Sequence, residues 1–399
     1  MLDILMLSQM FPSHTQPHFG IFIAREVESL TTYGKCNVTV FVPTAFTPGK
    51  FVSKKECSQF YQQYSATVEK LYYPPLPGAF FLPLKGLLFY LIARSRLNTI
   101  DFSFDILYAQ RVYPEGYAWA LLKRKTNTPL VIALRGADIN ELPSRSSLRS
   151  QIIWTLQQAD LILALSSSQK ERTVALGIGP EKIKIMPKGV NLDLFKPTQD
   201  KVSLRQQLNL PLTKTIVLSV GWLINRKNPF ALIEVAKGMS KNYLKSILFV
   251  WVGSGPLLNR VLDEVQKQNL TEHFLFVGSV APVDVAKWMA ASDIFSLLSF
   301  SEGMPNVLYE AMATGLPIIA SAVDGAKDIL QDQETGFLVG PTDYNEIEKS
   351  LSTLVDDEKM RRMMGRNARS YIEKKNLDWS NNTKWLLENL QKIRFDGKN

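Results

Sequence analysis

Residues Ser299 to Ser321 read SFSEGMPNVLYEAMATGLPIIAS. Ile294 to Leu298 leads into this stretch and Pro317 to Ala320 closes it, both short apolar runs of strand length bounded by turn formers. Between them a helix is expected from about Pro305, because proline favours the first turn of a helix. Strand, loop, helix and strand in so short a span predict parallel strands joined by a crossover helix.

The pattern continues outward in both directions. Toward the N-terminus of this half, strands are expected at Thr215 to Val220, Ser246 to Val252 and Phe274 to Val277. In the first half they are expected at Ile4 to Leu7, Asn37 to Val42, Ile106 to Ala109, Leu130 to Leu134, Leu161 to Ala164 and Ile183 to Met186. Ile21 to Thr31 and Ser147 to Gln158 have helical periodicity. The segment KGVNLDLFKPTQD, Lys188 to Asp200, breaks the pattern with polar and turn-forming residues and is read as a hinge. The expected class is therefore α/β: two Rossmann-like, doubly wound domains facing across a cleft. The first spans residues 1–196, joined by a C-terminal amphipathic helix at about 379–399 with Trp385, Leu386, Leu390 and Ile393 as its apolar positions, and the second spans 197–378.

Composition agrees with a soluble globular chain: 399 residues, 46% hydrophobic, 21% charged, with a mean hydropathy of −0.03. Wholesale disorder is excluded. The net charge of +9 is uneven, since residues 1–196 hold 22 Lys and Arg against 14 Asp and Glu. A basic half suits nucleic acid, anionic lipid or an acidic substrate. No zinc, RNP or basic-zipper pattern supports nucleic acid. Cys36 and Cys57 make neither a metal-ligand spacing nor a disulfide framework, so a reducing, cytoplasmic setting is expected. The opening MLDILMLSQMF carries Asp3 and no basic n-region, and reads as a buried strand rather than a signal peptide. The run FFLPLKGLLFYLIA, Phe80 to Ala93, is broken by Pro83 and Lys85 and falls short of the about 20 residues that span a bilayer. The longer stretch Phe80 to Leu97 reads either as core or acceptor-channel wall, or as a helix lying on a membrane with Lys85, Arg94 and Arg96 near headgroups.

Open parallel sheets bind ligands at their strand carboxyl ends, so the candidate residues are those that follow strands. Glu302 and Glu310 are separated by seven residues, the first in a loop and the second inside a helix. Gly303, Met304, Pro305, Asn306 and Val307 bring the loop backbone and the positive end of the helix toward a ligand. Carboxylates accept hydrogen bonds from sugar hydroxyls and amides hold phosphates, so this loop suits a nucleotide sugar. Arg226 and Lys227, after a strand of the same half, suit a diphosphate. Gly20 and Arg135 follow strands of the first half, Gly20 where a side chain would obstruct a ligand and Arg135 in the segment Arg135-Gly136-Ala137-Asp138. His18 neighbours Gly20. Gly253-Ser254-Gly255 lacks a third glycine, Leu258 standing in its place, and implies no NAD site. His14, His18 and His273 form no metal-ligand pattern with carboxylates, and no Gly-x-Ser-x-Gly elbow points to a serine hydrolase.

Taken together, SEGMPNVLYE, FPSHTQPHFGIFIAREVESL, ALRGADIN, ALSSSQKERTVALGIGPEKIKIMPKGVNLDLFKP, VGWLINRKNP, VGSGP and VDGAKDILQDQETGFLV resemble glycosyltransferase family 4 (group 1) over nearly the whole chain. The resemblance implies the GT-B fold and a retaining, metal-independent hexosyltransferase with a nucleoside diphosphate-sugar co-substrate and no cofactor. It implies Arg226, Lys227 and Glu302 as catalytic residues, the cations at the donor phosphates and Glu302 on the donor sugar. Gly20, Arg135, Gly303, Met304, Pro305, Asn306, Val307 and Glu310 are implied as donor-binding, with Glu310 on the ribose. Many relatives have His where Arg135 stands, so a histidine contact does not carry over. Arg-Gly-x-Asp-Ile-Asn resembles teichuronic-acid and polysaccharide members, which implies a glycan or lipid-linked glycan acceptor in cell-envelope or exopolysaccharide synthesis. Peripheral contact with the inner membrane face through the basic first domain is also expected. The rival readings are a nucleotide-sugar epimerase, which needs no acceptor, and a non-catalytic basic sugar- or nucleic-acid-binding protein.

Overall fold

The computed structural model describes residues 1–16, 19–46, 59–75, 79–99, 103–186 and 188–396; His18 and Cys57 lie outside them. The chain divides into two units, Met1–Pro187 with Ser380–Asn399, and Lys188–Trp379.

Among the described residues the first unit holds a seven-stranded sheet, built from β1 (Asp3–Leu7), β2 (Asn37–Ala45), β3 (Thr67–Tyr73), β4 (Ile106–Ala109), β5 (Leu130–Ala133), β6 (Leu161–Ala164) and β7 (Ile183–Ile185). Its order is β3-β2-β1-β4-β5-β6-β7, and every pairing is parallel. The helices that matter below are α1 (Ile21–Thr32), α2 (Lys85–Leu97), α3 (Tyr117–Thr126) and α4 (Ser146–Gln158). The second unit holds β8 (Thr215–Val220), β9 (Ile247–Val252), β10 (Phe274–Gly278), β11 (Ile294–Leu297), β12 (Ile318–Ser321) and β13 (Gly336–Val339), again all parallel, in the order β10-β9-β8-β11-β12-β13. Helix α5 (Asn306–Ala313) links β11 to β12, and α6 (Trp379–Asp396) ends the chain. The parallel α/β class expected from the apolar runs is found in both units.

Central strands are legible because both of their faces are covered: β4, β5, β6, β11 and β12 are buried at every position and read as unbroken apolar runs. Strands β3 and β13 were not anticipated, and both are edges. β3 reads TVEKLYY with only Leu71 and Tyr73 buried, since an edge strand needs no continuous apolar run. β13 opens on Gly336, where a Cβ would fall 2.2 Å from the Ile318 carbonyl oxygen, so the residue that reads as a breaker is the one that lets β13 approach β12.

Helix α6 belongs to the first unit by its contacts. Leu386 and Leu390 are buried, the Thr383 and Ser29 hydroxyls bond one another, Lys184 donates to Asn389, and Arg394 pairs with Asp105 at 2.8 Å.

Candidate functional site

In each sheet the strand order reverses at one place, between β1 and β4 in the first unit and between β8 and β11 in the second. Loops leaving the two strands of such a pair diverge, and the crevice between them is where open α/β sheets take ligands.

At the β8/β11 switch point the loop after β8 carries Arg226 and Lys227 in a single tight turn, Asn225–Lys227, and the loop after β11 carries Glu302. The backbones are tied together, because the Phe300 N–H donates to the Arg226 carbonyl at 2.9 Å. The side chains converge as well. Arg226 Nη1 donates to the Ser301 carbonyl at 2.9 Å and to Glu302 Oε2 at 3.0 Å, and Lys227 Nζ lies 2.6 Å from Glu302 Oε1. Glu302 is 6% exposed, Lys227 13% and Arg226 49%, so the carboxylate is enclosed while the guanidinium keeps a solvent-facing side. Burial pushes the Glu302 carboxyl up, but Lys227 beside it, and then Arg226, outweigh burial and hold it below its ordinary value. The site therefore presents a fixed carboxylate flanked by two cations.

Helix α5 begins one residue later than expected, with Pro305 as its N-cap and no side-chain cap. The Leu308 N–H bonds back to the Pro305 carbonyl, and Met304 and Val307 pack on the core beside partly buried Gly303 and Asn306. Glu310 lies a turn into α5 and is buried. Gly325 closes against this loop: a Cβ there would fall 2.4 Å from the Gly303 carbonyl oxygen, and its N–H reaches the Glu302 carbonyl.

Gly20 and Arg135 belong to the first unit. Gly20 caps α1 with φ of 72°, and a Cβ would fall 2.4 Å from the Met10 carbonyl oxygen. The turn and its contact with Met10 account for glycine here without a ligand. Arg135 points inward: its side chain is 3% exposed, Nη2 pairs with Glu26 Oε2 at 2.8 Å, and Nε donates to Gln110 Oε1 at 2.9 Å. Burial raises the Glu26 carboxyl, yet Arg135 and hydrogen bonds from Tyr108 and Gln110 bring it below its usual value. The Arg135 N–H donates to Asp138 Oδ1, whose carboxyl is raised by burial.

A second cluster, at the β1/β4 switch point, was not picked out from the sequence. Lys85 Nζ donates to Gln9 Oε1 at 2.9 Å, Gln9 Nε2 donates to the Tyr73 hydroxyl at 2.8 Å, and Arg111 pairs with fully buried Glu115 at 3.3 Å. Gln9 and Arg111 line an open concavity of about 1100 Å³ with Lys70, Tyr72 and Phe11. Position was the available signal, since Gln9 and Arg111 each follow a strand by two residues.

The glycines of Gly253-Ser254-Gly255 serve packing. A Cβ at Gly253 would fall 2.0 Å from the Gly221 carbonyl oxygen, and one at Gly255 would fall 2.7 Å from Leu223 N. Among the described residues no group of three or more His, Cys, Asp or Glu is placed to hold a metal.

The chain matches known proteins over both units. Residues 200–371 match the family described as glycosyl transferases group 1, and residues 29–194 match glycosyltransferase family 4. A Bacillus subtilis protein named for teichuronic acid biosynthesis as a glycosyltransferase is 28% identical over 82% of this chain and 83% of its own length. An Escherichia coli UDP-Gal:alpha-D-GlcNAc-diphosphoundecaprenol alpha-1,3-galactosyltransferase is 34% identical over 53% of this chain and 55% of its own. The crystal structure of Anabaena HepE with UDP superposes with a TM-score of 0.77 at 20% identity, over 98% of this chain and all of that one. That likeness shows the fold, GT-B with two parallel α/β units, which the resemblance implied.

Proposed function

We propose, for a chain that belongs to the group 1 glycosyl transferases of family 4, a retaining transfer of a sugar from a nucleoside diphosphate donor to a glycan or lipid-linked glycan acceptor. The observation that carries this reading is the convergence of Arg226 and Lys227 on buried Glu302 at the β8/β11 switch point. Two cations fixed beside an enclosed carboxylate stabilise negative charge developing on a departing diphosphate, the role a metal ion has in other transferases. Glu302, kept ionised by the same cations, accepts hydrogen bonds from donor-sugar hydroxyls. Glu310, buried within α5, takes the ribose, and the uncapped start of α5 at Asn306 and Val307, next to Gly303, Met304 and Pro305, takes phosphate oxygens.

In the reaction, the acceptor oxygen forms a bond to the anomeric carbon on the face from which the carbon–phosphate oxygen bond breaks. The acceptor proton passes to the departing diphosphate, whose charge Arg226 and Lys227 balance. No protein carboxylate becomes covalently attached.

Relatives named for teichuronic acid biosynthesis and for a diphosphoundecaprenol-linked acceptor support a place in polysaccharide or glycolipid synthesis. The Gln9, Lys70 and Arg111 concavity suits the acceptor. Arg135, committed to Glu26, positions its loop rather than touching the donor. The test is incubation with a panel of nucleoside diphosphate sugars and lipid-linked acceptors, with NMR assignment of the product's anomeric configuration. A product with the donor's configuration is expected. An inverted product, or donor isomerised without acceptor, contradicts the proposal.

A further inference from the structure

The concavity at the β1/β4 switch point is lined by two cations, Lys70 and Arg111, and by no Asp or Glu among the described residues. Its volume of about 1100 Å³ has room for sugar rings, and exposed Phe19, Phe46 and Tyr72 stand on its walls with the hydroxyls of Ser13 and Thr44. Aromatic faces and hydroxyls suit a carbohydrate of any charge. The cations ask for more.

Arg111 is held firmly and keeps donors to spare. Its Nη2 pairs with Glu115 at 3.3 Å, the same Glu115 oxygen accepts the Gln9 N–H at 3.1 Å, and Arg111 Nε is enclosed without a partner among the described residues. The turn carrying this pair, just before α3, is tight: the Gly116 N–H donates to the Arg111 carbonyl at 2.9 Å, and a Cβ at Gly116 would fall 3.1 Å from Thr155 Cγ2 of α4. Half-buried Lys85, at the start of α2, donates to Gln9 Oε1 and lies over the Tyr73 and Phe89 rings, with no carboxylate partner among the described residues. Burial holds its ammonium below the usual value, Glu115 opposing that shift and Arg111 adding to it. Lys70 meets the Tyr61 ring at 5.9 Å and likewise has no carboxylate partner there. Asp138, which also acts on Arg111, is taken up by the Val112 and Arg135 N–H groups. Cations gathered in a partly enclosed site beside one paired carboxylate are costly unless an anion joins them, and a guanidinium fixed on one side is suited to carboxylate or phosphate oxygens.

Resting on the transfer reading, we infer that the acceptor is an acidic glycan, whose phosphate or carboxylate group is held by Arg111 and Lys70 with Lys85 adding to the positive field. A neutral glycan would need none of these cations.

The experiment is a ligand-observed NMR titration of the full chain with glucose 1-phosphate, methyl glucuronide and methyl glucoside. At least one acidic probe is expected to bind roughly tenfold or more tighter than the neutral one, and the tighter of the two acidic probes tells phosphate from carboxylate. Lys70→Gln should lower acidic-probe affinity by on the order of tenfold, and so should Arg111→Gln/Glu115→Gln, which removes the cation without leaving a buried carboxylate unpaired. Both should leave the neutral probe unaffected, and Lys227→Ala should leave acidic-probe binding in place. If the double variant fails to fold, Lys70→Gln decides. Equal affinity for neutral and acidic probes, no binding of either acidic probe, or acidic binding that survives in the folded concavity variants and disappears in Lys227→Ala would each overturn the assignment. The titration involves no nucleotide and no turnover, so its failure leaves the transfer reading standing, and failed transfer leaves a positive titration intact.

Discussion

Lys227 Nζ stands 2.6 Å from Glu302 Oε1 while Arg226 Nη1 holds Glu302 Oε2 at 3.0 Å, so one enclosed carboxylate is shared by two consecutive cations. Under the proposed function, the pairing sets where a diphosphate meets positive charge and where a sugar hydroxyl meets negative charge. Removing either cation should cost about 3 kcal/mol of transition-state stabilisation, on the scale of a lost oxyanion donor. Lys227→Ala and Arg226→Ala are each expected to lower turnover roughly 100-fold or more. Steady-state kinetics on folded variants checks this, and wild-type turnover in either one removes that residue from the chemistry.

The same pair makes stability depend on pH. The folded Glu302 carboxyl titrates below its ordinary value of 4.5, so its ion pairs stabilise the fold fully above that value. The contribution is lost as pH falls through the depressed folded value. Glu302→Gln should therefore melt below wild type at neutral pH, with the gap closing in acid. A gap of constant size across the titration would show that the carboxylate's charge is not what stabilises the fold.

Arg135 and Glu26 are both enclosed, at 3% and 4% side-chain exposure. Arg135→Met leaves the Glu26 carboxylate buried without its cation and should cost about 3–5 kcal/mol of stability. Glu26→Gln combined with Arg135→Met should cost less than the two single changes together, because the partners are coupled. Urea denaturation measures both. A stable Arg135→Met enzyme with lost donor affinity would instead place Arg135 on the ligand.

Gly253 combines φ of 143° with a Cβ position 2.0 Å from the Gly221 carbonyl oxygen. Gly253→Ala should destabilise the second unit by about 3 kcal/mol or more. Thermal denaturation tests it; an unchanged melting temperature would mean the β8 and β9 loops are not held together by that backbone contact.

The sequence was most legible where burial is complete. Central strands such as Ile106–Ala109 and Thr215–Val220 were delimited from apolar runs alone, while β3 and β13 were missed because an edge strand tolerates Glu69 and Lys70, and Gly336 reads as a breaker. Arg226, Lys227 and Glu302 were singled out because they follow strands and match family motifs. That the two cations would close on one carboxylate about 75 positions away was not legible, since sheet order brings β8 beside β11 and no local spacing encodes it. The orientation of Arg135 was equally illegible. Arg135 too follows a strand, but its partners, Glu26 in α1 and Gln110 after β4, are distant in sequence and turn it inward.

The most direct measurement is a thermal-shift titration of wild type and Lys227→Ala with nucleoside diphosphates and their sugars. A ligand that binds only the folded state adds about 2.7 kcal/mol at a hundred times its Kd. At least one nucleoside diphosphate should raise the wild-type melting temperature, with the rise largely abolished in the variant. No shift with any of them, or an equal shift in both proteins, would contradict a diphosphate site built on the Lys227 and Glu302 pair.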